Sequence, residues 1–195
     1  YVPAVRFDVE EIAPESQLTV KAQDSLGNPI EGAVVTYAVG SPNAGWQTFG
    51  TTGLDGTISR SDLTVGTNYH FYASYNASTS TSQALVFDGD DEVVFETVLV
   101  KAKVETCPGV AIEGAAVTYG SVNGGFLTFG TTGSDGLVSK ELFPGYDRTF
   151  YASANHTSSA LQTATVVEQG DPLVTFTTTK VAINYSGSIN HGSAN

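Results

Sequence analysis

Apolar and polar residues alternate along short stretches of this chain with a period of two. Apolar residues at helical spacing are never sustained over three turns, so the predicted elements are strands. The stretch from Val93 to Val104 organises the rest. It contains no Gly, Pro, Asn or Ser and is rich in β-branched residues. Its second half sets Val98, Val100, Ala102 and Val104 against Thr97, Lys101 and Lys103, with Leu99 out of phase. It is long for one strand, which predicts two strands laid end to end. Upstream, strands are predicted at Leu18 to Gln23, Ala33 to Tyr37, Trp46 to Thr52, Thr57 to Arg60, Tyr69 to Tyr75, Ala84 to Phe87 and Val93 to Thr97. Turns rich in Gly, Pro, Asn and Asp separate them. Asp55-Gly56 is a hairpin signal between the third and fourth strands, and Asp88 to Glu92 reads as an acidic turn. Strands this short, punctuated this often, predict an all-β sandwich or barrel with essentially no helix.

The same pattern occurs twice. The run from Glu31 to Tyr37 recurs from Glu113 to Tyr119, an offset of 82; Thr48 to Gly53 recurs from Thr128 to Gly133, an offset of 80; Phe71 to Ser74 recurs from Phe150 to Ser153, an offset of 79. Short loop insertions and deletions account for the drift, and an internal duplication has to be recognised before any other fold argument. The expected organisation is an N-terminal extension over 1–16, a first sandwich over 17–97, a second over 98–183 and a tail over 184–195. Each repeat is long enough to bury a core without metal or disulfide.

Residues in both repeats carry a resemblance. In the first, Asp24, Gly27, Pro29, Ile30, Gly32, Ala33 and Val35 are followed by Thr51, Thr52, Gly53, Asp55 and Gly56, then by Val65, Gly66 and Tyr69. In the second, Gly109 to Val117 are followed by Thr131 to Gly133, Asp135-Gly136 and Phe143 to Tyr146, without the leading Asp and the Pro after the first Gly. This resembles the Ig-like, transthyretin-like β-sandwich of carboxypeptidase regulatory and collagen-adhesin B-type repeats. The resemblance implies two tandem sandwiches of the kind found in surface fibres, pili, stalks and adhesins, without an activity of its own. Some members of that family carry a Lys–Asn or Lys–Asp isopeptide bond beside a Glu. Lys21, Lys101 or Lys103 with Glu31 or Glu113 are residues of the right type, but Phe95-Glu96-Thr97 offers no Asn, so no such bond is assigned.

Charge narrows the partners. The formal net charge of −12 disfavours nucleic acid and anionic membrane surfaces, and no apolar run is long enough for a membrane span. A chain opening on Tyr1 is expected to be a processed, extracellular product. The single cysteine, Cys107, has no internal disulfide partner. His70, His156 and His191 are not spaced as metal ligands, and no nucleophile motif occurs, so no catalytic residue and no cofactor is expected. Asp88, Asp90 and Asp91 are the candidate calcium ligands, though their spacing is not that of an EF-hand and a solvated turn is the favoured reading.

Three sequons carry the most specific chemistry: Asn76-Ala77-Ser78, Asn155-His156-Thr157 and Asn184-Tyr185-Ser186. The first two occupy the same place in each repeat, where a strand ends. Asn76, Asn155 and Asn184 are therefore the expected N-glycan acceptors. Ser78 to Ser82 and Thr157 to Ser159 are candidate O-glycan runs. Trp46 and Phe126, with Tyr69, Tyr72, Tyr75 and Tyr146, are the candidate sugar-stacking surface, against the favoured reading that they fill the core.

The repeats join without a linker, which predicts a stiff joint. Val5, Phe7 and Val9 alternate with Arg6 and Asp8 where a preceding repeat would end, and Val181 and Ile183 lie where a following repeat would begin. Each end therefore reads as half of a junction awaiting a partner. Such a strand is satisfied by adding to the sheet edge of another copy, and a head-to-tail contact that does not close makes a filament. The expectation is an extracellular, glycosylated, pilus-like subunit polymerising by donor-strand exchange, with Val5, Phe7 and Val9 the favoured donor and Val181 and Ile183 the second candidate. Its partners are copies of itself, with glycans or cell surfaces as further ones. The alternative is a tandem Ig-like stalk or carbohydrate-binding adhesion module of a larger secreted protein.

Overall fold

The computed structural model describes residues 16–107, 109–120, 125–155, 157–159, 162–165 and 172–178. The donor candidates Val5, Phe7, Val9, Val181 and Ile183, and the sequon at Asn184, lie outside them. The described residues form strands joined by turns, with no helix, and they divide into two compact units. Among described residues the first comprises 16–100, 141–147, 165 and 172, and the second comprises 101–107, 109–120, 125–140, 148–155, 157–159, 162–164 and 173–178.

The first unit holds β1 (Gln17–Gln23), β2 (Val34–Val39), β3 (Gln47–Thr51), β4 (Thr57–Arg60), β5 (Asn68–Tyr75), β6 (Ser78–Thr79), β7 (Gln83–Val86) and β8 (Asp90–Glu96). One sheet runs β4-β1-β8; the other runs β3-β2-β5, with β6 and β7 pairing β5 in succession. Alternation decides which side chains face inward. Leu18, Val20 and Ala22 of β1, Val93 and Phe95 of β8, Val35 and Tyr37 of β2, Phe49 of β3, and Tyr69, Phe71 and Ala73 of β5 meet in one core, which makes the unit a two-layer sandwich. Tyr37, Phe49 and Phe71 form an aromatic cluster with centroids 5.6 to 6.4 Å apart. The Arg60 guanidinium lies 5.3 Å from the Tyr37 ring centre. Phe143 belongs to this core as well, edge-on to Phe95 at 6.2 Å.

The chain continues as β9 (Val98–Thr106), β10 (Ala116–Gly120), β11 (Phe126–Thr131), β12 (Leu137–Leu142), β13 (Asp147–Ala154), β14 (Thr157–Ser158), β15 (Gln162–Thr165) and β16 (Leu173–Thr178). The strand orders are β12-β9-β16 and β11-β10-β13-β14, with β15 also on β13. In the second unit Tyr119, Phe129 and Phe150 stand 5.5 to 6.3 Å apart, and the Lys140 ammonium lies 5.4 Å from the Tyr119 ring centre. The all-β sandwich expected from the sequence is the fold.

Two local readings are corrected. Asp55-Gly56 makes a turn but not a hairpin, because β3 pairs with β2 and β4 pairs with β1, in the opposite sheet. The Gly56 carbonyl accepts the Ala22 N–H at 2.8 Å, so this turn carries the chain from one layer to the other. The acidic turn is also shorter than expected. Asp90, Asp91 and Glu92 belong to β8 and pair in parallel with Gln17, Leu18 and Thr19. A central neighbour imposed strand structure on a polar run whose composition favours a turn.

Candidate glycosylation and assembly surface

The sequon asparagines occupy a defined backbone position. Tyr75 pairs with Ser78 across a two-residue loop, and Asn76 and Ala77 both have positive φ, 47° and 52°. That is the geometry of a primed hairpin turn, in which asparagine tolerates the left-handed region because its short amide bonds locally. Asn155 has φ 49° at the corresponding point of the β13–β14 loop. Both asparagines are exposed. The Asn76 amide donates to the backbone oxygen of Glu141 at 3.1 Å.

The O-glycan run fares differently. Ser78 is buried, its hydroxyl donating to the Tyr75 oxygen at 2.6 Å and accepting the Phe143 N–H at 2.8 Å. Ser80 is buried too, and its Oγ accepts the Ala73 N–H. Neither is available to a sugar in the folded chain.

Glu141 gathers three loops of the first unit, and no spacing in the sequence announced it. One carboxylate oxygen accepts from Ser25 Oγ and the other from Thr97 Oγ1, both at 2.6 Å, while its backbone oxygen holds Asn76. Bonds to a charged acceptor are stronger than neutral ones. Thr97 is fully buried and donates to this carboxylate. Lys103, one of the lysines considered for such a bond, pairs with Glu105 at 2.7 Å.

The calcium candidates diverge. The Asp91 carboxylate accepts the Asp88 N–H at 2.9 Å, and Asp90 accepts the Gln17 N–H at 3.2 Å. Among the described residues no three His, Cys, Asp or Glu side chains converge as a metal site. Of the aromatic candidates, Tyr69 is core. Trp46 and Tyr72 are half-buried with ring centres 4.4 Å apart, and Phe126 and Tyr151 make a looser pair at 6.4 Å. Tyr146 is exposed and Tyr75 packs partly against the core.

One edge of the first sandwich stands out. Among the described residues β8 has a strand partner, β1, on one side only. Beside its free edge runs a groove of about 330 Å³ lined by Ser80, Thr81, Phe95, Thr97, Val98 and Pro144 among others. No helix among the described residues is long and apolar enough to cross a membrane.

No protein-family model matches the chain, and no curated protein matches it. Solved structures to which the chain is similar include the Bacillus anthracis TIE protein, 15% identical over 84% of this chain with a TM-score of 0.35. The shaft pilin SpaA from Lactobacillus rhamnosus GG is 14% identical over 86% of this chain and 99% of its own, TM-score 0.37. A streptococcal ancillary pilin is 17% identical over 83% of this chain and 62% of its own, TM-score 0.36. The chain spans about a third of the length of the TIE protein structure, 33%. In the first unit both sheets close on one aromatic core, and the fold is an all-β sandwich.

Proposed function

We propose that this chain is an extracellular structural subunit of a pilus-like filament, N-glycosylated at Asn76, Asn155 and Asn184, that assembles head to tail by donation of a strand. In this reading the subunit carries tandem sandwiches at 17–97 and 98–183, a donor extension at 1–16 and a tail at 184–195. The observation that carries it is the seam at Thr97. β8 ends at Glu96 and β9 begins at Val98, so one strand runs into the next across a single residue. The alternation of Val5, Phe7 and Val9 repeats the pattern that leads into that seam, and Val181 and Ile183 repeat the pattern that leaves it. A strand with one apolar face is satisfied by a sheet edge. The primed turn at Asn76 and the positive φ of Asn155 support the glycan assignment, since both asparagines are exposed between paired strands.

Electron microscopy of the native material, together with a chain lacking residues 1–9, tests the reading. Filaments are expected from the intact chain and none from the truncated one, with the sandwiches still folded by circular dichroism. Filaments of normal length from the truncated chain refute donation by that segment. Glycosidase treatment of the native material should lower its mass. An unchanged mass removes the glycans.

The second reading, a stalk or carbohydrate-binding module, draws on Trp46 and Tyr72, whose paired rings lie half-buried on the sheet formed by β2, β3 and β5. It predicts a monodisperse monomer that binds immobilised glycans through Trp46.

A further inference from the structure

We propose that the free edge of β8 is the acceptor for the donor strand of a second copy, with residues 5–9 adding antiparallel and Phe7 lying beside Phe95. This rests on the filament reading above and names the surface that reading requires. In a parallel ladder both backbone groups of a residue point to the same neighbour, and successive residues alternate sides. The Thr97 N–H donates inward to the Gln23 oxygen at 3.0 Å. The Val94 carbonyl points the other way and accepts from the side-chain amide of Gln83 at 2.7 Å. Glu92, Val94 and Glu96 therefore present their backbone groups along the outer edge. At Val94 an amide side chain occupies the position a strand N–H would take.

The side chains on that edge select the strand. Glu92 and Glu96 are exposed and would repel a second copy of the same edge, a charge device that edge strands use against indiscriminate pairing. A donor with a cation on its outer face suits them, and residues 5–9 carry Arg6 there. Within residues 5–9 the charges set the register, with Glu10 left outside the paired segment. With Phe7 opposite Phe95, Arg6 faces Glu96 and Asp8 faces Val94. Sliding the donor two residues either way puts Asp8 opposite Glu96 or Glu92, two like charges face to face. Sliding by one residue turns Val5, Phe7 and Val9 to solvent. In the favoured register Val9, Phe7 and Val5 lie beside Val93, Phe95 and Thr97, and the last two of these line the groove of about 330 Å³. The donor then buries its apolar face there and takes over the Val94 carbonyl from Gln83.

The test uses the full-length chain. Val94→Pro removes an outward N–H and leaves the pairing with β1 intact, as proline is tolerated on a sheet edge. Filaments, followed by sedimentation and electron microscopy, are expected to disappear while the far-ultraviolet spectrum and unfolding midpoint stay at wild-type values. Glu96→Arg and Arg6→Glu, each alone, should slow polymerisation by roughly threefold to tenfold, and the two together should restore it. The charge pair keeps the test decisive should Val94→Pro unfold the chain. Normal polymerisation of a folded Val94→Pro variant, or failure of the double reversal to restore the rate, overturns the proposal. If filaments need residues 1–9 but ignore Val94 and Glu96, the acceptor assignment alone falls. If the intact chain makes no filaments, the filament reading falls with it.

Discussion

A buried threonine hydroxyl bridges two loops in each unit, and its removal gives the sharpest test of how the sandwich is held. Thr52 is only 3% exposed. Its Oγ1 donates to the Ile30 oxygen at 2.6 Å and accepts the Ala33 N–H at 2.9 Å. Thr132 does the same between Ile112 and Ala115, at 2.7 and 2.9 Å. Thr52→Val keeps the shape and leaves little cavity, so the change isolates the polar term. Two buried backbone groups lose their partner at about 1–3 kcal/mol each. Partial relaxation toward water brings the expected loss to about 3 kcal/mol. With a urea slope of about 2 kcal/mol per molar, the midpoint falls by about 1.5 M. The thermal midpoint of a unit this size falls by more than about 10 °C. Trp46 is the single tryptophan and touches Tyr72 in the first unit, so its fluorescence reports the relevant transition. Thr52→Ser keeps the hydroxyl and should stay within about 1 kcal/mol of wild type. A Thr52→Val protein within about 0.5 kcal/mol of wild type, or a serine variant as damaged as the valine one, would falsify the bridge as the cause.

Two further substitutions and one titration extend the reasoning. Gly56 has φ +74°, and a Cβ there would sit 2.6 Å from the Ala22 oxygen and 2.8 Å from Pro29 Cβ. Gly56→Ala should therefore cost more than about 3 kcal/mol. Gly66→Ala, at φ +82° with nothing within 4 Å, should cost only the backbone term of about 1–2 kcal/mol, and thermal midpoints of the two variants decide whether close approach matters. The Asn28 side-chain amide, with the Asn28 and Leu26 N–H groups, holds the Asp24 carboxyl below its ordinary 3.8. A depressed folded pKa means its stabilisation is complete above 3.8 and is lost as pH falls through the lower folded value. Asp24→Asn should thus be less stable than wild type at neutral pH, with the gap closing under acid. A gap that widens below 3.8 contradicts the assignment.

Strand positions were legible because burial on one face writes a period-two pattern into the sequence, and β4 falls where Thr57 to Arg60 predicted it. The positive-φ turns at Asn76 and Asn155 were legible as sequons after a strand, although the turn type was not. Serines 78 and 80 show the limit: nothing local separates a solvent hydroxyl from one that bonds buried backbone. Glu141 was missed for a related reason, because its partners Ser25 and Thr97 lie 116 and 44 residues away in sequence. The only sequence signal was a lone Glu on a strand end where the first repeat has Ser61.

The sequence by itself determined the class of fold, the inward and outward faces of most of the strands it predicted, and the turns that demand Gly or Asn, because these depend on interactions between near neighbours and on each residue's affinity for water. The tertiary structure decided which strand lies beside which. Only it placed Asp90 to Glu92 against β1, sent the Asp55-Gly56 turn across the sandwich, seated Phe143 in the first core, and left Val94 with a side chain where a strand would bond. An extended backbone offers the same hydrogen-bonding groups to any neighbour, so which one it takes is settled by the packing of residues far apart in the chain.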